Sequence, residues 1–233
     1  GSQIALIMKC HNYNFTYVHR GFSFESCLQD AMMLFNEGKE NILIGGIEEH
    51  TPNFVELNGR ANKFQIVPTN TPFWESTTKG IQMGEGSTFF ALSKNPNNKS
   101  LACIEGVQTL YKPKTSNDIL SKLNTFLSLH NLTLNDIDVT LMGFSSDSEF
   151  DNKLQEIKPI IEKESSIAYF KHLSGEFHTA SSFALWLATK LIEKQALPKS
   201  ITITGNSNGS IKHVLILNQY LGINYSFTLV SKI

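Results

Sequence analysis

Apolar residues recur at helical spacing in several stretches of the chain and form short continuous runs in others. Cys27, Ala31, Leu34 and Phe35 fall on one face of a predicted helix that opens at Ser23, carries Glu25 in its first turn and stops at Gly38. Residues 116–129 repeat that spacing, with Ser116 as the expected cap and Asp118 in the first turn. Residues 150–163 predict a helix interrupted near Pro159, and residues 181–195 one apolar enough to be largely buried. Between them, residues 41–46 (NILIGG) form the unbroken apolar run of a strand covered on both faces. Residues 14–19, 88–92, 101–110, 138–142, 201–204, 212–217 and 226–230 also read as strands, and residues 3–10 as the end of a helix. Residues 49–84 are irregular and rich in Pro, Asn and Thr, a long loop of the kind usually tied to function or disorder. Helices alternating with apolar strands predict an α/β layered fold, and the last three strands, with no helix between them, predict that part of the sheet is antiparallel.

Composition narrows the class. Of 233 residues, 41% are hydrophobic and 18% charged, which suits a globular chain and excludes a disordered one. Twenty basic residues against 21 acidic ones leave a net charge of -1, with no footprint for nucleic acid or an anionic membrane. Cys10, Cys27 and Cys103 are odd in number and lack a CxxC pair, which argues against a disulfide scaffold or a zinc cluster and for reduced thiols. Residues 1–10 lack a charged lead and a cleavage site, and no apolar run nears the roughly 20 residues of a membrane helix. A cytoplasmic location is expected. His172, Glu176 and His178 are spaced H-x-x-x-E-x-H, which does not align ligands on one helical face, and no metal is expected. Residues 205–210 are glycine-rich but lack a phosphate-loop lysine, so no cofactor is expected either. Ser23 or Ser26 with a histidine and Asp30 has no nucleophile-elbow motif to support a hydrolase triad.

Four segments carry a resemblance. Residues 23–31 (SFESCLQDA) lead through Gly38-Lys39 to ILIGG and then Glu48-Glu49; residues 84–92 read GEGSTFFAL; Lys171-x-x-x-Gly175 runs into Thr179-Ala180-Ser181-Ser182; and Gly222-Ile223-Asn224 precedes the last strand. In this order the chain resembles the ketosynthase branch of the thiolase-like superfamily. The stretches YVHRGFSFES (17–26) and GEFHTASSFALWLA (175–188) make it similar to the short ketosynthase-like proteins of aryl-polyene, flexirubin and dialkylresorcinol clusters.

The resemblance implies a layered αβαβα sandwich with mixed sheets, lacking the opening strands and helices of its first half. Residues 1–98 would be the remainder of the N-terminal half, and residues 99–233 the C-terminal half. A condensing enzyme uses a cysteine thiolate at a helix N-terminus with two histidines, or a histidine and an asparagine. The resemblance puts the nucleophile at Gly21 (or Arg20, one residue earlier), the first histidine at Gly143 and the second at Glu176. None of these residues bears a thiol or an imidazole. Lys171 matches a supporting lysine of the family and is placed to pair with Glu176. Cys27, Ser23 and His178 are the alternative reactive residues, although Cys27 reads as a small buried hydrophobe, Ser23 as a cap, and His172 and His178 as capping or surface residues. Phe22 and Phe24 would line or plug an acyl channel, or serve as ordinary core aromatics. The function implied is a non-catalytic subunit, like a chain-length factor, paired with a catalytic ketosynthase or with itself and in contact with acyl carrier protein. The alternatives are an active 3-oxoacyl synthase or malonyl decarboxylase with relocated residues, and a stand-alone structural fragment.

Overall fold

Two apolar clusters, one on each face of a six-stranded sheet, organise the chain. The computed structural model describes residues 1–61, 64, 75, 78–205 and 209–233. Its elements are α1 (Ser2–Ile7), α2 (Ser23–Asn36), β1 (Asn41–Glu48), α3 (Pro52–Arg60), β2 (Gly86–Ser93), β3 (Cys103–Tyr111), α4 (Ser116–Leu129), β4 (Val139–Met142), α5 (Asn152–Ile161), β5 (Ser166–Tyr169), α6 (Lys171–Ser174), α7 (Ala180–Lys194), β6 (Thr202–Thr204), β7 (His213–Tyr220) and β8 (Asn224–Ser231).

The large sheet runs β3-β8-β7-β4-β5-β6. Its centre, β7-β4-β5, is parallel, while β8 and β6 run antiparallel to their neighbours, which gives the mixed sheet expected. Strand alternation divides the core. Val139, Leu141, Val214 and Ile216 face α2 and α7, whereas Met142, Leu215, Leu217 and Phe227 face α4 and α5. On the far side of α2 and α7, β1 and β2 pair as an antiparallel ribbon in unbroken register from Asn41↔Ser93 to Glu48↔Gly86. The layers are thus ribbon, helices, sheet, helices. The ribbon's other face carries Leu43, Ile47 and Phe89, all exposed.

Local departures from expectation have local causes. Residues 14–19 form no strand, since no neighbouring strand among the described residues supplies their hydrogen bonds. Thr115, not Ser116, caps α4: its extended dihedrals place it just outside the helix, its Oγ1 accepts from Asp118 N at 3.2 Å, and Asp118 accepts from Thr115 N at 2.8 Å. Pro159 lies inside α5 without ending it. Within residues 49–84, α3 begins at Pro52 behind the cap Thr51 and buries no residue; its short run, with two asparagines and Gly59, is lost in a Pro-, Asn- and Thr-rich stretch. The end of α1 at Ile7 is exposed, and β5 is only four residues long, too short to stand out in the pattern. Of residues 205–210, three lie outside the described residues. No helix among the described residues is long and apolar enough to cross a membrane.

Candidate functional site

The turn before α2 is built tightly. A single 3-10 turn, Arg20–Phe22, leads into the helix, with Arg20 at φ 50°. Ser23 braces it: its Oγ accepts from His19 N at 2.8 Å and donates to the Arg20 carbonyl at 2.7 Å. Ser23 is therefore the first helical residue rather than the cap expected. Gly21 is buried beneath Tyr220, and a Cβ added at Gly21 would lie 2.4 Å from the Tyr220 Cβ. Only glycine fits that approach. Phe22 is buried with its ring edge-on to His19, and Phe24 packs in the core against Phe90.

Cys27 stays apart. It packs half-buried against the core beside the Gly45 backbone, and burial pushes its thiol up, away from the reactive thiolate. His19 Nδ1 lies 3.2 Å from Ser26 Oγ, while Asp30 accepts instead from the Tyr13 hydroxyl at 3.4 Å.

A fully buried lysine ties the other expected positions together. Lys171 Nζ donates to Glu176 Oε2 at 2.7 Å, to the Gly143 carbonyl at 3.1 Å and to the Gln219 carbonyl at 2.6 Å. The Lys171–Glu176 pairing is the one anticipated from sequence. Burial raises the Glu176 carboxyl against the pull of Lys171. A Cβ at Gly143 would meet the Asn218 amide oxygen at 2.5 Å, so that position also has no room for a ring. Asp151 closes the loop after Gly143: it accepts from the backbone N of Ser145 and Ser146 and from Gln219 Nε2 at 2.8 Å. Burial holds its carboxyl up to about 7 despite those donors. Glu25, in the first turn of α2, is fully buried and raised for the same reason, and it accepts from Ser226 Oγ at 2.8 Å.

Two sequence motifs meet at a backbone crossing. A Cβ on Gly84 would fall 1.9 Å from the Ser174 carbonyl oxygen, and one on Gly175, at φ 71°, would fall 2.4 Å from the Gly84 Cα. Glu176 is held there by its own backbone, its N–H donating to the Gln82 carbonyl and its carbonyl accepting from Gly84 N. The glycines of GEG and KxxxG thus position Glu176 against Lys171.

His178 lies beside this network with both ring nitrogens engaged. Nδ1 is 2.9 Å from Glu48 Oε1 and Nε2 is 3.1 Å from the Tyr220 hydroxyl. Burial raises Tyr220 above the usual phenol range, and the charges of Glu176 and Glu48 add to it. Tyr220 therefore keeps its proton, and the tautomer of His178 with its proton on Nδ1 is the one in which the phenol donates to Nε2 and Nδ1 donates to Glu48. His172 is separate: its ring stacks on Tyr169 at 3.7 Å, and burial lowers it to about 4. The structure thus gathers Gly21, Gly143, Lys171, Glu176 and His178, and leaves Cys27 and His172 outside. Sequence reasoning missed Tyr220, Glu25 and Asp151, and noted Glu48 only as part of a motif. Only an acidic residue after Gly45-Gly46 and a tyrosine ending an apolar strand hinted at them.

The layered fold finds counterparts among solved structures. A β-ketoacyl synthase from Burkholderia phymatum matches all of the chain over 64% of its own length, with a TM-score of 0.81 at 15% identity. The fold is that of the thiolase-like ketosynthases. A ketosynthase in complex with its chain length factor from Xenorhabdus doucetiae matches with a TM-score of 0.80 at 16% identity, covering all of this chain and 63% of that one. A type II polyketide synthase acyl-carrier protein in complex with its ketosynthase matches with a TM-score of 0.78 at 14% identity, again over the whole chain and 66% of the other. This chain therefore spans just under two thirds of the length of each of these ketosynthase structures. No family model matches the sequence, and no curated protein does either.

Proposed function

We propose that the chain is a ketosynthase-like subunit of fatty-acid- or polyketide-type biosynthesis that does not itself condense and that works beside an active ketosynthase, in the manner of a chain-length factor. One observation carries this reading: the volume over Gly21, where a nucleophile is expected, is filled by Tyr220. Condensation needs a thiolate there and imidazoles opposite it, whereas Gly143 and Glu176 stand at the histidine positions. The Lys171 network that braces those positions is retained. Cys27 is no substitute, because its thiol is raised by burial and makes no hydrogen bond with His178. Phe22, next to Gly21, and Phe24 are the residues to line an acyl channel, and the cytoplasm is the expected compartment.

The similar structures that hold a chain length factor and an acyl-carrier protein suggest the two partners to test. The chain is mixed with a ketosynthase and an acyl carrier protein from the same genome. Complex size is followed by light scattering, and product length by mass spectrometry. The expected result is a stable complex, a shifted product length and no condensation by the chain alone. Condensation by the chain alone that is lost in Cys27→Ala would overturn the reading, as would the absence of any complex.

A further inference from the structure

Glu48, His178 and Tyr220 form a line that condensation does not explain. They come from the end of β1, the segment before α7 and the end of β7, and they meet only in the fold. A hydroxyl 3.1 Å from an imidazole nitrogen, with the other nitrogen 2.9 Å from a carboxylate, is a nucleophile, its base and the group that orients the base. Unlike the sealed Lys171–Glu176 pair, this line touches solvent at its histidine end: the side chains of His178 and Glu48 are 23% and 20% exposed, while Tyr220 is buried behind them. In the tautomer with its proton on Nδ1, Nε2 faces the phenol at 3.1 Å. Glu176 and Glu48 bear electrostatically on Tyr220 from one side, and Arg20 opposes them.

We infer that Tyr220 is an acyl acceptor, with His178 as its general base and Glu48 as a positioning residue, and that the reaction is hydrolysis of a small acyl ester or thioester. In the first step the Tyr220 oxygen bonds to the acyl carbon while His178 Nε2 takes the phenol proton. The carbon–sulfur bond (or the carbon–oxygen bond of an activated aryl ester) then breaks, and the leaving thiolate or aryl oxide takes that proton. Water attacks the tyrosyl ester with the same base, which releases a carboxylic acid and restores the phenol. The sum is ester plus water giving acid plus thiol or aryl alcohol, with no redox change. An aryl oxygen leaves more readily than an alkyl one, so water can release the acyl group from Tyr220, and the burial that raises its phenol slows that release enough for the tyrosyl ester to be seen. The choice of a thioester as natural substrate rests on the reading proposed above; the relay does not.

The test uses the purified chain with p-nitrophenyl acetate, following nitrophenol release and the mass of the Tyr220 peptide. Tyr220→Phe keeps the ring over Gly21 and removes only the hydroxyl, and near-ultraviolet dichroism checks that it folds as the parent does. The expected result is a transient acetyl group on Tyr220 and a rate roughly a hundredfold lower in both Tyr220→Phe and His178→Gln. Glu48→Gln moves the acid limb of the pH–rate profile to lower pH, which a merely structural role would not do. Cys27→Ala leaves the rate unchanged. A folded Tyr220→Phe as fast as the parent, or acetyl found only on cysteine or lysine, overturns the relay. A second arm uses acetyl-pantetheine: Tyr220-dependent hydrolysis of the nitrophenyl ester with none of the thioester would overturn the thioester assignment and leave the relay standing.

Discussion

The ammonium of Lys171 is enclosed by one carboxylate and two carbonyl oxygens, with no exposure to water. Removing it strands the buried Glu176 charge as well as the Gly143 and Gln219 carbonyls. Lys171→Met is therefore expected to cost about 3–5 kcal/mol, read as a lower midpoint in urea unfolding. Adding Glu176→Gln should recover part of that loss, because the stranded charge goes with it. This pair was legible in the sequence, since its spacing within one motif makes contact plausible. The Glu48–His178–Tyr220 line was not, because 130 residues separate Glu48 from His178 and 42 separate His178 from Tyr220. Glu25 was read only as an acidic residue in the first turn of its helix. The structure shows it fully buried, accepting from Ser226 on β8.

At the scale of elements, the helices with a repeating apolar face were legible because burial writes a periodic signature. α3 was too short, and too rich in asparagine, for its stripe to stand out, and β5 had too few residues to write one. Caps depend on dihedrals rather than periodicity, so Thr115 and Ser116 are adjacent candidates until the backbone decides. Thr115→Ala should cost about 1 kcal/mol and Thr115→Ser much less, measured by the same unfolding experiment. The crossing of Gly84 over Gly175 explains why both motifs carry glycine there. Gly84→Ala sets a methyl against the Ser174 carbonyl at 1.9 Å and is expected to destabilise far more than the same change at Gly59, where an added Cβ would meet open space.

For the whole molecule, the layered mixed sheet followed from alternating helices and strands, while the strand order needed the fold itself. The buried acids give the molecule an unusual pH response. Glu25, Asp151 and Glu176 all have carboxyls raised by burial, Asp151 to about 7. A group raised in the folded state holds its proton there while the unfolded chain has lost its own. That stabilisation is complete below the unfolded value near 4 and is lost as pH climbs through the folded one. The share of stability carried by these three should thus decline from about pH 4 towards 7, while His172, lowered to about 4, works in the opposite direction over the same range. The acids' share is read from the difference in urea midpoint between parent and variant. Glu25→Gln keeps an acceptor for Ser226 and should flatten the slope.

The tight seat of Tyr220 on Gly21 also constrains the order in which substitutions can accumulate. The clash at Gly21 is with the Tyr220 Cβ itself, so trimming the tyrosine to alanine frees the ring volume without clearing that atom. A side chain introduced by Gly21→Cys alone is therefore expected to damage folding, and Tyr220→Gly would be needed to make room for it. The two positions are coupled: neither can gain bulk unless the other gives it up.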